Sequence, residues 1–226
     1  MKENPNTWQD YVYNCNGSYQ NGDYTIKCYH GTAHGAQNLI QAFANSCNGA
    51  FAEIGMQINS EKFRALANQM LFNSELPYTL PYNQSTFSLD GSSDDWEKLQ
   101  TAIGQGKTQI TPLHNLMIVS AIANGGTYTN PVFFTKILDR NGKILIDNEP
   151  ETRQALKDST AYLLTSAMQD VMQSNTMYTR SGSGVKSTGT TAAIPNMSCA
   201  GKSGTTTSNV DVWFVGFTPY LSLIHI

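Results

Sequence analysis

The chain has 226 residues, of which 40% are hydrophobic and only 14% charged, with 14 basic against 17 acidic side chains. That balance supports one domain with a real core and excludes a disordered chain. No basic cluster stands out, so no nucleic-acid partner is expected; no stretch approaches the roughly 18 apolar residues of a membrane span; and Met1-Lys2-Glu3-Asn4-Pro5 leads into polar sequence, not an apolar signal segment.

Residues 1 to about 35 are rich in Asn, Gly, Tyr and Thr and read as loops and short strands. Cys15 and Cys28 flank a turn-rich segment and suit paired strands, where a disulfide would fit an exported domain. Cys28, His30 and His34 lie close together and raise a zinc site, but their spacing matches no common finger pattern. The expectation is therefore an irregular loop with solvated histidines, and no metal or cofactor.

Ala36, Leu39, Ile40, Phe43, Ala44 and Cys47 follow helical spacing, and Ala50, Phe51, Ile54 and Ile58 continue it. The polar run Asn45-Ser46-Cys47-Asn48-Gly49 between the two sets marks a helix junction. Ser60 is a candidate cap for a further helix ending near Phe72. After a polar stretch, Thr111 and Pro112 start a helix that stops before Gly125-Gly126, with Leu113, Leu116, Met117, Ser120 and Ala121 expected inside. Val132–Leu138 and Lys143–Ile146 around Asp139-Arg140-Asn141-Gly142 predict a hairpin. Asp158 is a candidate cap for a helix to about Met172, and the Ser/Thr/Gly-rich stretch from 174 to 191 predicts a loop. Val212–Phe217 is apolar on both faces, which predicts a central strand. The order of elements predicts a mixed α/β (α+β) domain with an antiparallel β-sheet flanked by helices.

Two groups carry chemistry. Lys202 ends a predicted strand and is followed by Ser203, Gly204 and Thr205, which puts a cation, hydroxyl donors and close backbone approach in one place. That combination suits a bound carboxylate, and a side chain at Gly204 would block a ligand lying along the strand. Ser46 and Asn48 sit at the helix junction, where such residues more often cap than catalyse.

Taken together and in order, these groups resemble the transpeptidase domain of penicillin-binding proteins, whose motifs are S-x-x-K with the nucleophilic serine, then S-x-N, then K-[ST]-G. Ser46-Cys47-Asn48 matches the second motif and Lys202-Ser203-Gly204 the third. The blocks Ala102–Gly106, Thr111–Leu113, Ala121–Gly126 and Asp211–Pro219 are also similar to the family. The departure is the first motif: the only S-x-x-K is Ser183-Gly184-Val185-Lys186, which follows the second motif and has no helical context. The expectation is that the chain begins after the nucleophile. At the other end, Leu221-Ser222-Leu223-Ile224-His225-Ile226 looks like either a translated sequencing adapter or an ordinary apolar strand.

The resemblance implies peptidoglycan stem peptides ending in D-Ala-D-Ala as substrate, β-lactams as inhibitors and no cofactor. It also implies the extracytoplasmic face of the bacterial membrane and cell-division or elongation machinery as partners. In this reading Ser46 relays protons, Asn48 hydrogen-bonds the substrate amide and orients the lysine of the absent motif, and Lys202 supplies positive field. Ser203 and Thr205 bind the substrate carboxylate, and the Thr205 amide donates to an oxyanion. Cys47 is given no role beyond packing. The rivals are a serine β-lactamase or β-lactam sensor, and a non-catalytic scaffold. The sequence leaves open whether a glycosyltransferase domain accompanies this one.

Overall fold

The computed structural model describes residues 8–78, 80–173 and 187–225, with side chains described as far as Tyr220. Ser183 and Lys186 lie outside the described residues. The elements run β1 (Val12–Cys15), β2 (Ser18–Asn21), β3 (Tyr24–Lys27), β4 (Gly35–Asn38), α1 (Leu39–Ala44), α2 (Asn48–Gln57), α3 (Ser60–Gln69), α4 (Asp95–Ala102) and α5 (Pro112–Ala123). They continue with β5 (Thr127–Thr129), β6 (Lys136–Leu138), β7 (Ile144–Asp147), β8 (Thr152–Gln154), α6 (Asp158–Met172), β9 (Ala200–Thr205), β10 (Val212–Thr218) and β11 (Leu221–His225). All the sheets are antiparallel, as the α+β reading expected.

The site rests on the sheet β11-β10-β9. Its middle strand, β10, is the one whose apolar residues on both faces predicted a central place. Leu221–His225 pairs antiparallel with β10. Helix α6 packs on β9, and α5 packs on α6, β10 and β11. Gly201 allows this close approach: a Cβ there would lie 2.6 Å from Phe214 Cζ and 2.9 Å from Met172 Sδ. Ala161, Ala167, Met168, Val171 and Met172 are the buried residues of α6.

A second region is built from β1 to β4, α1, α2 and α4. β2 and β3 form a hairpin, and β1 pairs with β4 across it in sequence. Tyr13, Cys15, Cys28, Ala42, Cys47 and Ala50 form its buried cluster, with Ile26, Ala52 and Leu99 beside it.

Several local expectations shift. The helical spacing from Ala36 begins too early: Ala36, Gln37 and Asn38 pair with β1, so sheet pairing overrides periodicity there. The helix starts at Leu39, where Asn38 and Gln41 form a reciprocal capping box. Asn59, not Ser60, caps α3 by accepting from the Lys62 amide. Asp158 is the first residue of α6, and the cap position is Lys157. Thr111 caps α5 as expected, with Pro112 at the first position. Its buried residues, however, are His114, Met117, Val119 and Ala121. His114 is tolerated inside because its Nε2 bonds the Met70 carbonyl at 2.7 Å. The hairpin is shorter than predicted, and Gly142 takes φ +81° in its turn.

Candidate active site

The junction between α1 and α2 has a defined geometry. Helix α1 ends at Asn45 in its cap position. The Ser46 amide donates to the Phe43 carbonyl at 3.1 Å, and the Cys47 amide reaches back to the Ala42 carbonyl at 2.9 Å. This pair of bonds is a Schellman motif, and it places Ser46 at the position that takes a left-handed backbone. Its φ is +51°. Glycine is the usual occupant; a residue with a Cβ costs roughly 1–2 kcal/mol there. Strain of this kind persists where the surroundings impose it, and it clusters at functional sites.

What the strained turn achieves is contact with β9. Lys202 Nζ donates to Ser46 Oγ at 2.8 Å and to the Ser203 carbonyl at 2.7 Å. Nζ also sits 5.7 Å from the centre of the Phe43 ring, within cation–π range. Burial pushes the lysine pKa down to about 8, because a charged ammonium loses hydration there. It still carries its proton at neutral pH. With the ammonium donating to Ser46 Oγ, the serine's own hydrogen points elsewhere and is available to a group in the site.

The other expected residues fall nearby with different commitments. Asn48 opens α2 and donates from Nδ2 to the Lys27 carbonyl at 2.9 Å, which ties the junction to the end of β3. Ser203 is half-buried, whereas Gly204 and Thr205 are exposed. A Cβ at Gly204 would meet only Trp213 Cβ, at 3.8 Å, so this stretch of strand has open space along it. The Thr205 carbonyl accepts from Gln105 Nε2 at 3.4 Å, which brings the Gln105 block to the end of β9.

Beneath the junction, the structure gathers Cys28 and His34, which the sequence raised with His30 as a zinc site, together with Cys15 and Cys47. His34 is buried, not solvated, and lies with Cys15, Cys28 and Cys47; His30 stays on the surface. β1–β4 pairing and the β2–β3 hairpin pull His34 inward beside the two cysteines. Cys15 and Cys28 are free thiols, not a disulfide. The 3.8 Å contact with the Cys47 sulfur lowers the Cys28 pKa against the effect of burial, and His34 adds to it. The same contact pushes Cys47 up.

The chain is similar to known proteins. The family model described as penicillin binding protein transpeptidase domain matches residues 4–222. Penicillin-binding protein 1A of Aquifex aeolicus is 31% identical over 120 residues, which are 53% of this chain and 15% of that protein. Penicillin-binding protein 1A of Neisseria meningitidis serogroup B is 35% identical over 133 residues, 57% of this chain and 15% of that protein. Among solved structures, the D,D-transpeptidase domain of the peptidoglycan glycosyltransferase from Eggerthella lenta aligns with a TM-score of 0.80 at 28% identity, covering 93% of this chain and 52% of that one. Penicillin-binding protein A from M. tuberculosis, in its imipenem acyl-enzyme complex, shares the fold with a TM-score of 0.78 at 23% identity, covering 94% and 47%. The chain thus spans about half of these solved chains and 15% of the two curated relatives. The motifs in order, the 2.8 Å contact between them and a family match over nearly the whole length lead to one conclusion: this chain belongs to the penicillin binding protein transpeptidase domain family.

Proposed function

We propose that this chain forms the substrate-carboxylate and oxyanion side of a peptidoglycan D,D-transpeptidase site, at the extracytoplasmic face of the bacterial membrane. The observation that carries the proposal is the Lys202–Ser46 hydrogen bond, which joins the second and third motifs into one cationic, hydroxyl-bearing surface. The family match and the names of the relatives support the reaction class.

In the complete enzyme, the serine of an S-x-x-K segment attacks the carbonyl of the penultimate D-alanine, and its lysine takes the proton. The peptide C–N bond breaks, D-alanine leaves with a proton on its nitrogen, and the acyl group stays on the serine. Ser46 passes that proton to the leaving nitrogen, a role supported by the Lys202 ammonium donating to its oxygen and leaving its hydrogen free. Lys202 supplies the positive field for the terminal carboxylate of the substrate, which Ser203 and Thr205 hydroxyls bind. The exposed strand at Gly204 leaves room for the peptide backbone. The Thr205 amide donates to the developing oxyanion. An amine from a neighbouring stem peptide then takes the acyl group and completes the cross-link. β-Lactams present the same carboxylate and a strained amide, and they acylate the same serine.

A fluorescent penicillin tests this assignment. The complete enzyme should be labelled on its S-x-x-K serine, whereas the 226-residue chain should take no covalent label. Label on Ser183 of the chain would overturn the division of roles.

A further inference from the structure

Four buried side chains under the Ser46 junction meet with no role in the reaction above. Cys15 comes from the end of β1, Cys28 follows β3, His34 precedes β4, and Cys47 precedes the first turn of α2. Their ligand atoms all lie within 4.8 Å of one another. The residues are 2%, 2%, 5% and 0% exposed. We propose that Cys15, Cys28, His34 and Cys47 form a closed Cys3His site for one zinc ion, and that this ion anchors the loop carrying Ser46.

The distances argue for a tetrahedral cage. Zinc lies about 2.3 Å from sulfur and about 2.0–2.1 Å from imidazole nitrogen, so a regular tetrahedron has edges of about 3.8 Å between sulfurs and about 3.6 Å from sulfur to nitrogen. Here Cys15 Sγ to Cys28 Sγ is 3.7 Å, Cys28 Sγ to Cys47 Sγ is 3.8 Å and Cys15 Sγ to His34 Nδ1 is 3.4 Å. These edges have the length of a filled site although they join residues from four separate elements. Three thiols and an imidazole are soft and borderline ligands, which select zinc over calcium or magnesium. Four protein ligands leave no open position, so the ion is structural.

Charge balance fits as well. Binding Zn²⁺ displaces three thiol protons to solvent and leaves one net negative charge on the cluster. A backbone N–H faces that charge: the Gly17 amide donates to Cys15 Sγ at 3.4 Å. Donors of this kind orient and stabilise metal thiolates. The anchoring role follows from covalent connection. Cys47 is the neighbour of Ser46 in the strained turn, so a metal on Cys47 fixes the backbone that holds Ser46 against Lys202.

The test is metal analysis of the full chain, purified with thiols kept reduced, zinc supplied, and loosely bound metal dialysed away. About one equivalent of zinc per chain is expected. Cobalt replacing it should give the ligand-field bands of a tetrahedral ion together with thiolate-to-cobalt charge transfer. Cys28→Ser and His34→Ala should lose the metal, whereas Cys199→Ser, outside the cluster, should keep it. If the ligand variants fail to fold, the cobalt spectrum of the unaltered chain decides. Absence of retained metal with all four cysteines titrating as free thiols would overturn the proposal, and so would a Cys15–Cys28 disulfide in the purified chain. The site does not depend on the catalytic reading: Ser46→Ala should hold zinc even if Ser46 proves irrelevant to acylation.

Discussion

Lys202 donates to Ser46 across 156 positions of sequence, at 2.8 Å. Neither partner sits there cheaply. The lysine gives up hydration, and its pKa drops to about 8. The serine adopts φ +51° where glycine would be relaxed. Two local costs converging on one bond point to a site kept for what it does, not for stability.

The lysine's titration sets a pH signature. Lys202 is protonated below about pH 8 and neutral above it. Acylation of the complete enzyme by a penicillin should therefore fall as pH rises through about 8, and Lys202→Arg should move that fall to higher pH, because guanidinium stays charged. The stability effect has the opposite sense. Between about 8 and the unfolded value near 10.4, the unfolded chain binds a proton that the folded chain does not, so stability rises with pH across that window. Relative to Lys202→Met, the gain is at most about 3 kcal/mol and smaller where solvent screens the ammonium. Denaturant titrations of the two chains across that pH range measure it.

The backbone of Ser46 makes a prediction that separates strain from chemistry. Ser46→Gly and Ser46→Ala both remove the hydroxyl and differ only in tolerance of positive φ. The glycine variant should be more stable than the alanine variant by about 1 kcal/mol. In a domain of this size that is roughly 2–4 °C in Tm. Calorimetry that places the alanine variant equal or higher would remove the left-handed turn from the account.

Two glycines of β9 should behave oppositely. At Gly201, a Cβ would crowd Phe214 Cζ at 2.6 Å and the Val215 carbonyl at 3.1 Å, so Gly201→Ala should lower stability by about 1–3 kcal/mol. At Gly204 a Cβ finds open space, so Gly204→Ala should leave the melting temperature unchanged and weaken acylation of the complete enzyme by occupying the ligand's path. Paired thermal melts and penicillin-labelling rates check both.

His114 gives a second pH dependence. It is fully buried, bonds the Met70 carbonyl through Nε2, and leaves Nδ1 without a partner. That arrangement holds the neutral ring, and burial lowers its pKa. The unfolded histidine takes up a proton near pH 6.5 while the folded one resists, so stability should fall as pH drops below about 6.5. His114→Gln should be less stable at pH 8 but flatter toward acid, as urea midpoints at the two pH values would register.

The motif residues and the central strand were legible because each is encoded locally. Lys202-Ser203-Gly204 is contiguous, Thr111-Pro112 starts α5 by its own capping chemistry, and Val212–Phe217 declares burial by being apolar on both faces. The cysteine–histidine cluster was legible only in part: Cys28 and His34 were raised together, but with His30, and without Cys47. Its members stand at positions 15, 28, 34 and 47, and only the pairing of β1 with β4 and the turn into α2 bring them together. The same pairing converts Ala36–Asn38, helical by spacing, into strand. His114 was missed because a buried histidine is satisfied by a carbonyl from another segment, which no periodicity reports.

The most direct test of the Lys202–Ser46 assignment is the second-order rate constant for acylation of the complete enzyme by a fluorescent penicillin, with and without Lys202→Met. Under the proposed function, loss of the half-buried cation beside Ser46 should slow acylation on the order of 100- to 1,000-fold, with the fold intact by thermal melt. An acylation rate within a factor of about two of the unaltered enzyme would contradict the account, because a 2.8 Å contact between the two motifs would then serve no step of the reaction.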